Sequence, residues 1–188
     1  NNKFLRLWWE IETKKFKRNS RSKNESISSN QKWYPYNKGG KFRKWYGNCE
    51  FVVNWERDGL EIKNYSGSVI RNENYYFKTC ISWSKISTKN LAMRFYPNGF
   101  LFDVAGCSIF SKDSDNLIKL LGFSNSIVAK EILKSISPTL NFEVGHIASL
   151  PILNNLEGIS NINILQAIEL SKEDWNENEL SWEFKSNS

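Results

Sequence analysis

Histidine, cysteine and cofactor-binding fingerprints are scarce in this chain of 188 residues. It has one histidine and three cysteines, and neither G-x-G-x-x-G nor G-x-x-x-x-G-K occurs. His146 lies among core-like residues, so we expect it to be structural and not part of a catalytic triad. Cys49, Cys80 and Cys107 are too scattered for a zinc site or a disulfide framework, which predicts free thiols, at least two of them buried. The sequence therefore predicts no catalytic, cofactor-binding or metal site in this chain.

Long apolar runs are also absent. No stretch approaches the roughly 18 to 20 apolar residues that cross a bilayer, and no basic-then-apolar leader is present, so we expect a cytoplasmic protein. The chain begins NNKFLRLWW without a methionine, which predicts a piece of a longer chain. With 40% hydrophobic residues it can bury one core. We predict a domain over residues 1–153, and over 154–188 a helix and acidic tail that pack on it or on a neighbouring domain.

The charge is divided unevenly along the chain. Residues 1–94 carry 20 Lys and Arg against 8 Asp and Glu, or +12, whereas residues 95–188 carry 6 against 12, or −6. The densest stretch runs from Lys14 to Lys44, where 11 basic residues are opposed only by Glu25. Such a field attracts polyanions, although a solvated surface or a disordered basic loop has the same composition.

Strand signals dominate the middle of the chain. Short runs rich in β-branched and aromatic residues between positions 49 and 110, LEIKNY (60–65) among them, predict strands, with Asn98-Gly99 as the best hairpin turn. Residues 14–32 have almost no core-forming side chains, which predicts a mobile loop.

Helix signals follow. The apolar spacing after Ser114 predicts two helices, with Gly122 and Phe123 between them and Ser124 or Ser126 as the cap of the second. A last helix is expected near residues 159–170. Together, these patterns predict an α+β fold with a mixed, largely antiparallel sheet followed by helices.

Cations and aromatic residues alternate between positions 32 and 46, around several glycines. Cations neutralise phosphates, glycines let backbone amides approach them, and aromatic rings stack on bases or support an arginine, so the composition suits DNA. Two arginines in strand-like stretches are candidate base readers. For Trp45 and Tyr46, core packing is an equal alternative. The candidate DNA-binding residues are Lys32, Lys38, Lys41, Arg43, Lys44, Trp45, Tyr46, Arg71 and Arg94.

Eight segments carry a family resemblance. They are FLRLWWEI, KWYPYNKGGKFRKWYGN, VVNWERDGLEIKN, GSVIRNENYYF, ISWS, FLFDVAGCSIF, ISPTLNFEVGHIASLPI and ELSKEDWNENELSWEFK. In this order they resemble the C-terminal target-recognition region of PglX-type adenine-specific DNA methyltransferases of BREX phage-defence systems. They are also similar to related single-chain restriction-modification enzymes. The block KGGKFRKWYGN is the most specific of the eight.

The resemblance implies a bacterial parent enzyme that methylates adenine N6. Its cofactor, S-adenosylmethionine, would be bound by an upstream domain with an N-P-P-[YF] motif, which this chain lacks. The chain itself would be non-catalytic and without a cofactor. It would read double-stranded DNA, beside the upstream methyltransferase domain and away from any membrane, while the flipped adenine reaches that domain.

Two other functions fit the composition. The eight tryptophans would supply stacking platforms in a sugar-binding module. Alternatively, the acidic tail with Trp175 and Trp182 would dock a partner protein.

Overall fold

The computed structural model describes residues 3–87, 89–137, 139–152 and 158–185. Its helices and its two sheets of mostly antiparallel strands confirm the predicted α+β fold. The strands are β1 (Leu5–Leu7), β2 (Trp33–Asn37), β3 (Phe51–Asn54), β4 (Cys80–Ser84), β5 (Met93–Tyr96), β6 (Leu101–Phe102) and β7 (Gly106–Ile109). The helices are α1 (Lys23–Ser28), α2 (Glu56–Lys63), α3 (Ser114–Ser124), α4 (Ile127–Ile136), α5 (Val144–Ala148) and α6 (Asn161–Asn176).

The two sheets have different partners. The first has the strand order β1-β3-β2-β6, in which only the β2–β6 pair is parallel. The second has the order β5-β4-β7 and is antiparallel, with Trp83 of the central strand opposite Met93 and Cys107. Trp83 and Met93 are completely buried and form the largest core with side chains of α3, α4 and α6. The second sheet is therefore the platform on which the helices pack.

The Asn98-Gly99 turn does not make a hairpin, so that prediction is wrong. The strands on either side of it, β5 and β6, lie in different sheets. Gly99 has a φ of +110°, and a Cβ there would collide with the Arg18 carbonyl oxygen. The turn carries the chain from the second sheet into the first, where β6 pairs with β2. An Asn-Gly hairpin turn needs positive φ at both residues, whereas only Gly99 has it here.

Two other local predictions are wrong. The segment expected to be a mobile loop contains α1, which begins where the Ser22 hydroxyl accepts the Glu25 amide at 3.2 Å. The first four residues of LEIKNY, which was expected to be a strand, lie in α2. The left-handed turn at residues 57–59 leads directly into this helix. The Lys63 ammonium holds that turn through the Asp58 carboxylate at 2.8 Å.

The predictions for the later helices are confirmed in part. The Ser126 hydroxyl accepts the Ala129 amide at 3.2 Å, which confirms Ser126 as the cap of α4. The break after α3 falls at Asn125 and not at Gly122, since Gly122 lies inside α3, where its missing side chain makes room for Ile164 of α6. The predicted boundary between residues 153 and 154 lies outside the described residues.

The cysteines are all free, as predicted, and Cys49 and Cys80 are buried. Burial raises the pKa of each of these two thiols to about 12. Both are therefore protonated at neutral pH and behave as small apolar side chains. In the described residues, no helix combines the length and apolar character of a membrane span.

Replacing Gly99 tests the turn between the sheets. Gly99→Ala should lower the free energy of unfolding by roughly 2–4 kcal/mol, because the left-handed φ and the collision with Arg18 add together. Urea unfolding followed by tryptophan fluorescence measures the loss. The control is Gly145→Ala in α5, where a Cβ meets nothing and helix propensity should raise stability by up to about 1 kcal/mol. Equal stabilities for the two variants would show that the turn is not constrained.

Candidate nucleic-acid interface

The segment between β2 and β3, residues 38–48, is called here the basic–aromatic loop. It leaves the first sheet, crosses to the second and returns. At the crossing, the Trp45 amide donates to the Met93 carbonyl at 2.9 Å and the Trp45 carbonyl accepts the Phe95 amide at 2.7 Å. Trp45 thereby adds one residue of pairing to the edge strand β5. The middle of the loop is anchored by backbone hydrogen bonds and is not a free arm.

Arg94 of β5 lies inside the protein, with no exposed surface. Its guanidinium donates to the Arg43 carbonyl at 3.2 Å, the Ser84 hydroxyl at 3.1 Å and the Tyr96 hydroxyl at 3.3 Å. The Ser84 hydroxyl in turn donates to the Gly40 carbonyl at 2.8 Å, and the Tyr96 hydroxyl to the Gly47 carbonyl at 3.2 Å. Arg94 therefore holds the basic–aromatic loop at three points, which is a structural role and not one at a surface.

Arg43 is half-buried and turns toward α6. Its guanidinium pairs with the Asp174 carboxylate of α6, lies 5.1 Å from the Trp175 ring centre and donates to the Tyr46 carbonyl at 2.9 Å. Tyr46 is buried, and Trp45 is half-buried against the main core. Core packing, the alternative left open for these two aromatic residues, is what the structure shows.

Folding neutralises much of the basic stretch between Lys14 and Lys44. Six of its 11 basic residues form ion pairs, which are Lys14, Lys15, Lys17, Arg18, Lys23 and Arg43. Two of the partners come from the acidic end of the chain, since Arg18 pairs with Glu183 at 2.6 Å and Arg43 with Asp174. The charge division along the sequence is therefore smaller in three dimensions.

A set of five lysines keeps its charge unpaired. This basic cluster consists of Lys38, Lys41, Lys44, Lys89 and Lys130. None of the five forms an ion pair with a carboxylate in the part of the chain that the structure describes. The loop supplies the first three, and the other two come from distant sequence. No local signal marks Lys89 or Lys130, because only the fold brings them beside the loop.

Contacts place four of these lysines. The Lys38 ammonium lies 4.9 Å from the Phe51 ring centre, and the Lys89 ammonium lies 5.6 Å from that of Phe42. The Lys44 ammonium donates to the Asn125 carbonyl at 2.7 Å. Burial, followed by repulsion from Lys130, lowers the pKa of Lys44. Lys44, Lys89 and Lys130 thus lie around Phe42 at the start of α4, while Lys38 and Lys41 are exposed on the loop itself.

The other sequence candidates lie elsewhere. Lys32 is half-buried with its ammonium 5.8 Å from the Trp33 ring centre. Arg71 is exposed, in the segment between α2 and the 3-10 turn Glu73–Tyr75, and not in a strand as expected. His146 accepts the Glu143 amide at 3.3 Å at the start of α5, and its structural role stays a prediction. Among the described residues, no cluster of His, Cys, Asp or Glu is suited to hold a metal ion.

Exchanging Arg94 tests its role as an anchor. Arg94→Lys should lower the free energy of unfolding by roughly 2–4 kcal/mol, because one ammonium cannot serve three acceptors arranged around a guanidinium. Arg71→Lys is the control, and its effect should stay within about 0.5 kcal/mol since Arg71 is exposed. Urea unfolding of the two variants measures both changes in the free energy of unfolding. A similar, small effect in both would argue against the anchor.

Glu50, next to the loop, gives a pH test. Its burial raises the pKa of the carboxyl above the ordinary 4.5, and Lys41 and Arg94 offset only part of this. Folding therefore favours the neutral acid, and the wild type loses stability as pH rises through and above 4.5. Glu50→Gln should be more stable than wild type at pH 7, with the advantage vanishing below the unfolded pKa.

The control for Glu50 is a carboxylate with the opposite shift. Lys134 lowers the pKa of the exposed Glu131, so Glu131→Gln should show no gain at pH 7. Urea midpoints between pH 3.5 and 8 measure both differences. A Glu50→Gln advantage that does not change with pH would contradict the assignment.

Comparison with known proteins agrees with the resemblance seen in the sequence. No family model matches the chain. The chain is 38% identical over 188 residues to the adenine-specific methyltransferase BrxX of Escherichia coli O9:H4 (strain HS). This alignment covers 98% of the chain and 15% of that protein. The chain is 37% identical over 195 residues to the adenine-specific methyltransferase PglX of Lacticaseibacillus casei (strain Zhang). This alignment covers 100% of the chain and 16% of that protein. The chain is therefore the counterpart of one segment, 15–16% of the length, of the PglX-type proteins.

Proposed function

We propose that this chain is the DNA-contacting, target-recognition segment of an adenine-specific DNA methyltransferase. The methyl donor, S-adenosylmethionine, and the chemistry would belong to another part of the longer protein. The relatives' names support a methyltransferase parent. The resemblance described above supports a role in phage defence of the BREX type. The observation that carries the DNA-binding part of the proposal is the basic cluster.

Unpaired like charges are unfavourable unless something neutralises them. The Lys44 and Lys130 ammonium groups already repel each other in the folded chain, and this contributes to the lowered pKa of Lys44. A duplex carries a phosphate charge about every 1.7 Å of helix axis, so it can neutralise several lysines at once and release its own counterions. The basic cluster is therefore suited to a polyanion.

The loop that carries the cluster is held in one conformation. Arg94, Trp45 and Asn48 anchor its backbone, the last through a hydrogen bond from its amide to the Lys41 carbonyl at 2.8 Å. A loop ordered before binding loses little conformational entropy when it meets its partner. Lys38 and Lys41, both exposed, are consequently the best-placed cations for phosphate contacts.

The structure gives less support to the two other functions. Of the eight tryptophans, only Trp9 has more than a third of its surface exposed, at 46%, so few indole faces are open to a sugar ring. Trp175 is 5% exposed and packs against Tyr96 and Phe100. Trp182 is partly buried against the same cluster. The tail's tryptophans are thus occupied in holding the tail to this domain.

Removing Lys38 and Lys41 tests the proposal. The double variant Lys38→Ala/Lys41→Ala should bind a 20-base-pair duplex more weakly than wild type. A plot of log Kd against log salt concentration should lose a slope of about 2, because each phosphate contact contributes roughly 0.9. Fluorescence anisotropy between 50 and 300 mM NaCl measures both quantities.

The matched control removes the same charge elsewhere. Lys112 and Lys185 are exposed, so Lys112→Ala/Lys185→Ala changes the net charge equally at positions outside the basic cluster. It should leave the salt slope within about 0.5 of wild type. The same loss of slope in both double variants would mean that net charge alone attracts DNA. No loss in either would remove the loop from the interface.

A further inference from the structure

A cavity of about 200 Å³ lies where α3 gives way to α4. Its wall includes Phe42 and Lys44 from the basic–aromatic loop, and Ser124, Ser126 and Lys130 from the helices. None of the described residues that line it is acidic. The cavity thus lies at one end of the basic cluster, with Lys44 and Lys130 in its wall.

The position of the cavity follows from a short connection. Asn125 links the two helices and is fastened to the sheet, because its side-chain amide donates to the Met93 carbonyl at 2.9 Å and accepts the Met93 amide at 3.0 Å. The first turn of α4 therefore starts at a determined place. The amides of Ile127 and Val128 in that turn have no acceptor within the helix, and the helix dipole adds partial positive charge there.

Two cations flank this turn. The Lys44 ammonium reaches the Asn125 carbonyl at 2.7 Å, and Lys130 lines the same cavity from α4. They repel each other, and Lys130 has no ion pair within the described residues. Glu131, the nearest acid in sequence, is occupied by Lys134 at 2.8 Å. No ion pair among the described residues therefore compensates the positive charge at the start of α4.

The side chain of Ser124 gives a second, independent observation. Ser124 is 2% exposed, and its hydroxyl has no hydrogen-bond partner in the described structure. A buried hydroxyl without a partner costs about 1–3 kcal/mol. A ligand with acceptor oxygens in the cavity would satisfy it. Ser126, by contrast, already caps Ala129 and leaves its neighbours' amides free.

We propose that this cavity binds a phosphate group through Lys44, Lys130, the Ser124 hydroxyl and the first amides of α4. Helix starts combined with lysines are well suited to phosphate oxygens. The carrier we assign is a backbone phosphate of duplex DNA, an assignment that rests on the proposed function. Free phosphate has the same chemistry, so the test separates the two sources.

The test uses two variants and one control. Lys130→Met removes a cation, and Ser124→Ala removes only a hydroxyl that has no partner in the described structure, so at least the second should fold normally. Lys134→Met, one turn further along α4, is the control because that lysine is exposed and already paired with Glu131. Circular dichroism and urea unfolding verify that each variant is folded.

Two measurements are made on each protein. Duplex binding is followed by anisotropy at 100 mM salt. Amide chemical shifts of Ile127 and Val128 are followed by NMR while inorganic phosphate is titrated at constant ionic strength. We expect Lys130→Met to weaken duplex binding about tenfold, as for the loss of one hydrogen bond to a charged group. Ser124→Ala should weaken it about threefold, as for the loss of one hydrogen bond between neutral groups. Lys134→Met should stay within about twofold of wild type. Phosphate should shift both amides in wild type and less in Lys130→Met.

The outcomes separate this inference from the proposed function. Duplex binding that is normal in wild type and unchanged in both cavity variants overturns the inference and leaves the proposed function intact. Absence of duplex binding in wild type overturns the proposed function and the DNA source. A phosphate-dependent shift of the two amides would then support a site for free phosphate. If inorganic phosphate shifts neither amide and the cavity variants bind duplex like wild type, the phosphate site is overturned.

Discussion

The burial of the Arg94 guanidinium is the constraint on which the shape of the candidate interface depends. A buried guanidinium has five N–H donors and must find acceptors for them, because an unpaired buried charge is strongly destabilising. Here the acceptors are the Arg43 carbonyl and two hydroxyls, and those hydroxyls hold the Gly40 and Gly47 carbonyls in turn. Both ends of the basic–aromatic loop are thus fixed from the second sheet. The residues between the anchors, Lys41 among them, are presented outward as a consequence.

A second consequence of folding concerns charge. The acidic end of the chain does not remain a separate negative region, because Asp174 and Glu183 return to pair with Arg43 and Arg18. Electrostatic attraction for a polyanion comes from the charges left over after such pairing, not from the net charge of a stretch of sequence. The basic cluster is one part of that remainder, and it combines the loop with lysines that lie some 50 and 90 residues further along the chain.

Helix α6 is tied to the same loop. Trp175 packs under Tyr46 and Tyr96, and its ring also supports the Arg43 guanidinium at 5.1 Å. Ile164, about three turns earlier, fills the space above Gly122. The helix therefore braces the loop from one side while the edge of the second sheet holds it from the other. Loop and helix form one structural unit although about 130 residues separate them.

Local patterns in the sequence were enough to predict the α+β class, the free buried thiols and the Ser126 cap. Caps, turns and apolar spacing depend on residues a few positions apart, so they can be recognised without the fold. The resemblance to PglX-type proteins was also present in the sequence alone. Only the tertiary structure decided that Asn98-Gly99 joins two sheets, that Arg94 is buried and Arg43 is paired with α6, and that Lys89 and Lys130 complete the basic cluster. These features depend on pairings between distant segments, and the local pattern of a chain does not specify which distant segment each residue will meet.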